Sequence, residues 1–157
     1  MGARKSWREK LEKEQEPKIV KIPPKMRKRF GTGKMLIPRP LDVDALIRKV
    51  RKGKLVTQDA IRKRLANDFK VNVTCPITTG IFVRIAAEAA EEDWRAGKKL
   101  ITPYWRALKA DGRLNEKFPG GVKAQAKRLR KEGHAIVPGK GKKPPRVEDF
   151  EKSLQKL

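Results

Sequence analysis

The sequence predicts a mainly α-helical chain with a small β wing: a winged helix-turn-helix domain with basic N- and C-terminal extensions. Three observations carry that prediction. Apolar residues recur at helical spacing through the middle of the chain, in segments that start near cap-forming residues and end on glycine. The pair Asp111-Gly112 sits between two short segments and is a hairpin turn signal. Both ends are dense in lysine, arginine and proline. At 157 residues the chain holds one ordinary domain plus tails.

Residues 1–40 read as a basic, proline-containing extension with 13 basic and 4 acidic residues. Trp7 to Gln15 alternates lysine and glutamate and predicts a short solvated helix. Lys18 to Ile22 alternates charged and branched apolar residues, then stops at Pro23-Pro24. Lys25 to Arg29 is a basic cluster, readable as a phosphate-binding arm, an address signal or a solvated charge run. Gly31-Thr32-Gly33-Lys34 lacks the spacing and the following Ser/Thr of a nucleotide loop.

Residues 41–137 read as the folded domain. Leu41, Ala45, Leu46 and Val50 suit a helix ending before Gly53, with Asp42 and Asp44 at its favourable N-terminal end. Lys54 to Val56 is a short extended link. Thr57 is the expected N-cap of a helix over Gln58 to Asn67, with Ile61 and Leu65 on one face. Lys70 to Val73 is a loop or short strand. A long helix follows from about Ile77 to Arg95, capped by Thr78 or Thr79 and ended by Gly97. Glu91, Glu92 and Asp93 stand at the wrong end of its dipole, so they are expected to be solvated or paired with Lys98 and Lys99. Arg106 to Lys109 and Arg113-Leu114 flank Asp111-Gly112 as the wing. Pro119-Gly120-Gly121 breaks the chain. Val122 to Glu132 is then a basic helix with Ala124, Ala126 and Leu129 inward, stopped by Gly133, and Ala135 to Val137 is a closing strand. Residues 138–157 read as a basic linker, Pro138 to Pro145, and a short terminal helix, Val147 to Leu157.

Composition narrows the function. Lys+Arg number 41 against 18 Asp+Glu, a formal net charge of +23. A polyanion relieves that self-repulsion, nucleic acid first and an anionic membrane surface second. The membrane reading has one weak support, the acylation-like start Met1-Gly2-Ala3 with Ser6 at the sixth position. No apolar run approaches the ~20 residues of a membrane span, and the charged MGARKSWREKLEKEQ start has no secretory pattern. The single cysteine, Cys75, excludes an intramolecular disulfide framework and suits a reducing compartment; the single histidine, His134, excludes a histidine-rich metal site. No metal or cofactor is expected.

The order of motifs from Val50 to His134 resembles the C-terminal DNA-binding domain of the alkylguanine-DNA alkyltransferases and their catalytically silent relatives, the alkyltransferase-like proteins. The matching pieces are Gly53-Lys54-Leu55-Val56-Thr57, Arg84-Ile85-Ala86-Ala87-Glu88-Ala89, Pro103-Tyr104-Trp105-Arg106, Asp111 to Asn115, Phe118-Pro119-Gly120-Gly121, and Leu129 to His134. The resemblance covers a little over half the chain. It implies a helix entering the minor groove of DNA and a pocket for an extruded base.

The departures bear on chemistry. The family's alkyl-accepting cysteine falls on Tyr104, and a phenol is not the thiolate that alkyl transfer needs. The activating histidine falls on Trp105, whose indole accepts no proton. Glu132 alone of the relay is matched. The expectation is a protein without alkyl-transfer activity that binds duplex DNA, with a damaged or flipped base as one target in DNA repair. The alternative is a general DNA- or RNA-binding architectural protein with a filled pocket. A third class, an enzyme using Cys75, competes with that residue being a small buried side chain at a helix start. His134 reads as a cationic partner of a helix C-terminus.

The resemblance places Arg84 in the role of the residue that fills the gap left by an extruded base, with Thr79 at that position in a shifted register. The helper tyrosine of the family falls on Gln58. Arg51, Lys52, Lys54 and Arg62, with the Thr57, Thr78 and Thr79 hydroxyls, are expected to meet phosphates. Tyr104 and Trp105, as neighbours on an extended segment, are expected to face opposite ways, one inside and one toward the groove. Arg106 is expected to tie the pocket loop to the body, and Phe118 to border the pocket or belong to the core. The expected partner is double-stranded DNA, bound by a monomer. The expected location is cytoplasmic or nucleoid-associated, nuclear in a eukaryote, and any protein partner of the tails is left open.

Overall fold

The computed structural model describes residues 6–157. The Met1-Gly2-Ala3 start of the acylation-like pattern lies outside the described residues. Ser6 belongs to a helix cap: its hydroxyl accepts from the Glu9 N–H at 3.1 Å and opens helix α1, Trp7–Leu11. This helix is not the solvated one that its charge alternation predicts. Leu11 is fully buried, and the Glu92 carboxylate accepts the otherwise unpaired N–H groups of Trp7 and Arg8 at 2.8 and 3.0 Å.

Strand β1, Lys18–Lys21, pairs antiparallel with β2, Lys34–Ile37. A 3₁₀ turn, Pro24–Met26, and the one-turn helix α2, Arg27–Phe30, connect them. Residues 6–37 therefore pack on the body instead of trailing from it. Ile22 and Met35 meet Cys75 in a small apolar cluster of their own.

Helix α3, Pro40–Arg48, has Pro40 at its first position and Asp42 closing back on the Arg39 N–H at 2.9 Å. Its buried face is Val43, Leu46 and Ile47; Leu41 and Ala45, expected inward, face out. Strand β3, Val56–Thr57, leads into helix α4, Gln58–Asp68, and Thr57 occupies the cap position without a side-chain cap bond. Residues 69–75 contain β4, Val73–Thr74, which pairs parallel with β2. The link expected as a loop or short strand thus supplies a short strand, the third of a sheet ordered β1-β2-β4.

Helix α5, Pro76–Arg95, starts earlier than its threonines suggest, because Pro76 suits the first helical position and Cys75 stands at the N-cap. The Thr78 and Thr79 hydroxyls donate back to the Cys75 carbonyl at 3.4 and 2.7 Å, so neither caps the helix. After a 3₁₀ turn over Tyr104–Arg106, strand β5, Ala107–Leu108, lies parallel to β3.

The wing is a tight hairpin turn, closed by the Lys109 N–H donating to the Arg113 carbonyl at 3.0 Å, with a further partner. Asp111-Gly112 does turn the chain, with Gly112 at φ 83° and its N–H donating to the Lys109 carbonyl at 2.9 Å. The return segment, however, reaches the C-terminus: Arg113 bridges Arg146, and the Leu114 N–H donates to the Pro145 carbonyl at 2.9 Å. Helix α6, Gly121–Lys131, follows Gly120, which holds the left-handed φ of 77° that its break requires. Strand β6, Ile136–Val137, pairs antiparallel with β7, Arg146–Val147. The expected terminal helix is β7 followed by a 3₁₀ turn over Phe150–Ser153. That turn brings Leu154 beside Leu55, where the Leu55 N–H donates to the Ser153 carbonyl and the Gln155 N–H to the Leu55 carbonyl.

The main core gathers α1, α3, α4, α5 and α6 around Leu36, Ile47, Leu55, Ile61, Val83, Leu108 and Leu129. Among the described residues, no helix is long and apolar enough to cross a membrane.

Candidate nucleic-acid interface

The segment Pro103–Leu108 is held from four directions. Thr102, fully buried, donates its hydroxyl to Asp44 of α3 at 2.7 Å, and Asp44 also takes the Arg48 Nε at 2.7 Å. Arg106 forks onto Glu132 at the end of α6, with 2.9 and 2.7 Å bonds, and donates to the Val50 carbonyl at 2.6 Å. Buried Gln125 of α6 donates to the Trp105 and Ala107 carbonyls and accepts from the Asn115 N–H. Strand pairing of β5 with β3 supplies the fourth hold. Arg106 thus ties the Pro103–Leu108 segment to α6 and to the end of α3.

Burial works to raise the Glu132 carboxyl, but the Arg106 guanidinium outweighs it and holds Glu132 below its ordinary range. The ion pair is well shielded, with side chains 12% and 8% exposed. Glu132 is therefore the partner of an arginine. His134, just beyond, is pushed down by burial despite nearby Glu132, which disfavours the cationic helix-end role expected for it.

Tyr104 and Trp105 do not split between inside and outside. They lie in a 3₁₀ turn, where neighbours do not alternate as in a strand, and both are packed, 1% and 9% exposed. Tyr104 sits edge-on to Trp105 and to Phe118, centroids 5.4 and 5.2 Å apart. Phe118 is 3% exposed and belongs to the core.

The two rings nevertheless line a cleft of about 600 Å³ between α5 and α6. Trp94, 54% exposed, stands at its edge, and Lys52, Arg95, Lys127 and Lys131 also line it. Glu91 and Arg128, which sequence reasoning did not select as site residues, complete it with Trp94. Glu91 accepts from the Tyr104 hydroxyl at 2.6 Å and from Arg128 at 2.7 Å. The Arg128 guanidinium lies 4.4 Å from the Trp105 ring centre and 5.9 Å from those of Trp94 and Tyr104. Burial first, and then the Glu91 carboxylate, raise the Tyr104 phenol well above its ordinary value, so it is a neutral donor at all ordinary pH. Among the expected partners of the misplaced acids, only the Asp93–Lys98 pair forms, at 3.4 Å; Asp93 also binds Arg8, and Glu92 caps α1.

The remaining predicted residues divide. Lys52 lines the cleft, and Arg51 and Arg84 are exposed. Lys54 is half-buried. Arg62 is half-buried, and burial followed by repulsion from Arg29 pushes its guanidinium down. Thr57 is 5% exposed and Thr79 fully buried, so these two hydroxyls present nothing to a phosphate. Burial also removes Thr79 from the gap-filling role. Thr78 is half-buried. Arg84 keeps company with α1: its guanidinium lies 5.6 Å from the Trp7 ring centre. Cys75 is buried in the small apolar cluster, beside Ile22 and Met35.

No protein-family model and no curated protein sequence matches the chain. Among solved structures it is similar to S. pombe Atl1 in complex with damaged DNA containing O6-carboxymethylguanine, with a TM-score of 0.51 and 15% identity over 75% of this chain and 94% of that one. A structure of S. pombe ATL in complex with DNA superposes with a TM-score of 0.45 at 16% identity over the same shares. The first likeness shows that the chain has an alkyltransferase-like fold.

Proposed function

We propose that this chain is a non-enzymatic protein that binds double-stranded DNA as a monomer and holds a damaged or extruded base in the cleft beside Trp105. The observation that carries the reading is the cleft itself. Its lining includes Tyr104, onto which the sequence resemblance puts the family's acceptor thiol, together with Trp94, Trp105 and several lysines and arginines. Its volume of about 600 Å³ is in the range of small-molecule sites. A base there gains stacking on an aromatic face, worth ~1–3 kcal/mol where it operates. The Arg128 guanidinium, already held on the Trp105 ring, has further N–H donors for acceptor atoms of a base edge. Tyr104 supplies no nucleophile, because its phenol is neutral and bonded to Glu91. The likeness to a structure that holds DNA with O6-carboxymethylguanine makes an alkylated purine the first ligand to test.

A second reading has its own support. Tyr104 and Trp105 are both packed, and Tyr104 and Arg128 both donate to Glu91 in the lining of the cleft, as suits an architectural DNA- or RNA-binding protein with a filled pocket.

One experiment separates them. Fluorescence anisotropy is measured for duplexes with and without an O6-alkylguanine, and the protein is weighed afterwards by intact mass spectrometry. The expected result is tighter binding of the alkylated duplex with unchanged protein mass. Equal affinity for both duplexes favours the architectural reading, and an alkyl increment on Cys75 overturns the non-enzymatic one.

A further inference from the structure

A second depression lies against α6, outside the site described above. It is a groove of about 640 Å³ between α6, strand β6 and the loop that leads to β7. Val122, Ala126 and Ile136 give it an apolar floor, and the exposed Lys123, Arg130 and Lys143 stand around it. No carboxylate and no aromatic ring lines it. Among the described residues, none of the three cations has an ion-pair partner. Val122, Ala126 and Arg130 recur every four residues on one side of α6, whereas Lys127, Arg128 and Lys131 face the Trp105 cleft from another. Strand β6 adds a backbone edge. The Glu148 N–H donates to the Ala135 carbonyl at 2.9 Å, which makes Ile136 and Val147 a non-hydrogen-bonded pair. The N–H and carbonyl of Ile136 therefore turn away from β7. Among the described residues no strand lies on that side of β6, and Arg113 meets β7 on its opposite side. The connecting loop is tightly closed: a Cβ at Gly139 would collide with the Lys143 carbonyl.

We propose that this groove docks an extended, acidic segment of a partner protein. One aliphatic side chain of the segment fills the apolar floor, its backbone adds a strand to β6 through Ile136, and carboxylates beside the anchor meet Lys123, Arg130 and Lys143. The proposal is independent of the base-binding reading and gives the chain a second partner. Backbone pairing to a free edge supplies affinity, and the pocket for a side chain supplies selectivity. The sign of the charge selects the partner. Three unpaired cations around an apolar floor favour an acidic chain and repel a basic one. Lys123 and Arg130 are about 10 Å apart along the helix axis, the reach of three extended residues at ~3.4 Å each. Acids three residues apart, with the aliphatic anchor between them, therefore span the rim. A nucleic-acid strand fits less well, because the groove has no ring on which a base stacks. A second copy of the chain is disfavoured by its net charge of +23. The closed loop, with Pro138 and Pro145 in the lining, holds the groove open before a ligand arrives, which lowers the cost of binding.

The test selects a library of fluorescein-labelled octapeptides on the full chain, with leucine fixed at the fourth position and the other positions randomised. Aspartate and glutamate are expected to be enriched around the leucine. Fluorescence anisotropy then measures the best acidic peptide. The double substitution Lys123→Glu with Arg130→Glu is expected to weaken that peptide roughly tenfold or more, and to bind instead the same peptide with lysine in place of its acids. Both positions are exposed, and circular dichroism checks that α6 stays formed. N-methylation of the peptide backbone on both sides of the leucine is expected to cost roughly tenfold, because it removes strand hydrogen bonds. The amide resonance of Ile136 is expected to shift on binding, and the indole resonance of Trp105 to stay. A library without acidic enrichment overturns the proposal, as does an acidic peptide whose affinity the charge swap leaves unchanged. A peptide that shifts Trp105 and spares Ile136 belongs to the cleft and overturns it too. A chain that binds no acidic peptide but loses DNA affinity on the charge swap gives the groove to nucleic acid. A dimer of the natural chain that the charge swap dissolves gives it to a second copy. Either result overturns the proposal.

Discussion

Arg106 and Glu132 form a shielded ion pair in which the arginine takes both carboxylate oxygens. Removing one partner of such a pair leaves an uncompensated charge, at a cost of roughly 3–5 kcal/mol. Arg106→Ala is therefore expected to lower the urea midpoint strongly, and more than the double change Arg106→Met with Glu132→Leu, which removes both charges. The pH dependence has a definite sign. Glu132 is held below the ordinary carboxylate value of 4.5, so its stabilisation is complete above that value and is lost as pH falls through the depressed one. His134 is pushed below its ordinary 6.5, so the unfolded chain takes up the proton first and stability falls as pH drops through 6.5 toward the lowered value. Urea midpoints measured from pH 8 to 5 are expected to decline below about 6.5, and His134→Gln is expected to remove that part of the decline.

At the scale of elements, α1 has only five residues, too few to persist alone. Its stability is borrowed from α5 through the Glu92 cap, the Arg8–Asp93 pair and the burial of Leu11. The three acids at the unfavourable end of α5 are thereby accounted for: each faces a donor from another element. Leu11→Ala is expected to cost about 2–5 kcal/mol by leaving a cavity. Thermal denaturation reads that loss, and proteolysis within residues 7–15 is expected to quicken before global unfolding. A cost below about 0.5 kcal/mol would show α1 undocked in solution.

For the whole molecule, the charge of +23 sets how binding responds to salt. If about six phosphates are neutralised, log K falls with log salt at a slope near −5 on duplex DNA. A measured slope shallower than about −2 sinks the duplex reading. Residues 6–37 and the segment from Arg146 to Gln155 are part of this body. Strands β1 and β2 bring the N-terminal residues onto the sheet that leads into α5, and β7 with Leu154 ties the C-terminus to β6 and Leu55.

The sequence by itself determined the charge excess, the existence of the three helices that it places over 58–67, 77–95 and 122–132 and that the structure gives as Gln58–Asp68, Pro76–Arg95 and Gly121–Lys131, and the adjacent aromatic pair Tyr104-Trp105. Each rests on local signals, such as spacing, caps and composition, that act within one or two turns of chain. Tertiary structure alone decided what those elements meet. Glu92 caps a helix 85 residues earlier in the chain, and Arg128 reaches Glu91 across 37 residues. Arg113, which closes its hairpin with Lys109, also bridges Arg146, 33 residues on. Pairings at such separations depend on which surfaces packing brings together, and that is also why Tyr104 and Trp105 are both enclosed although their neighbourhood in sequence suggested opposite faces.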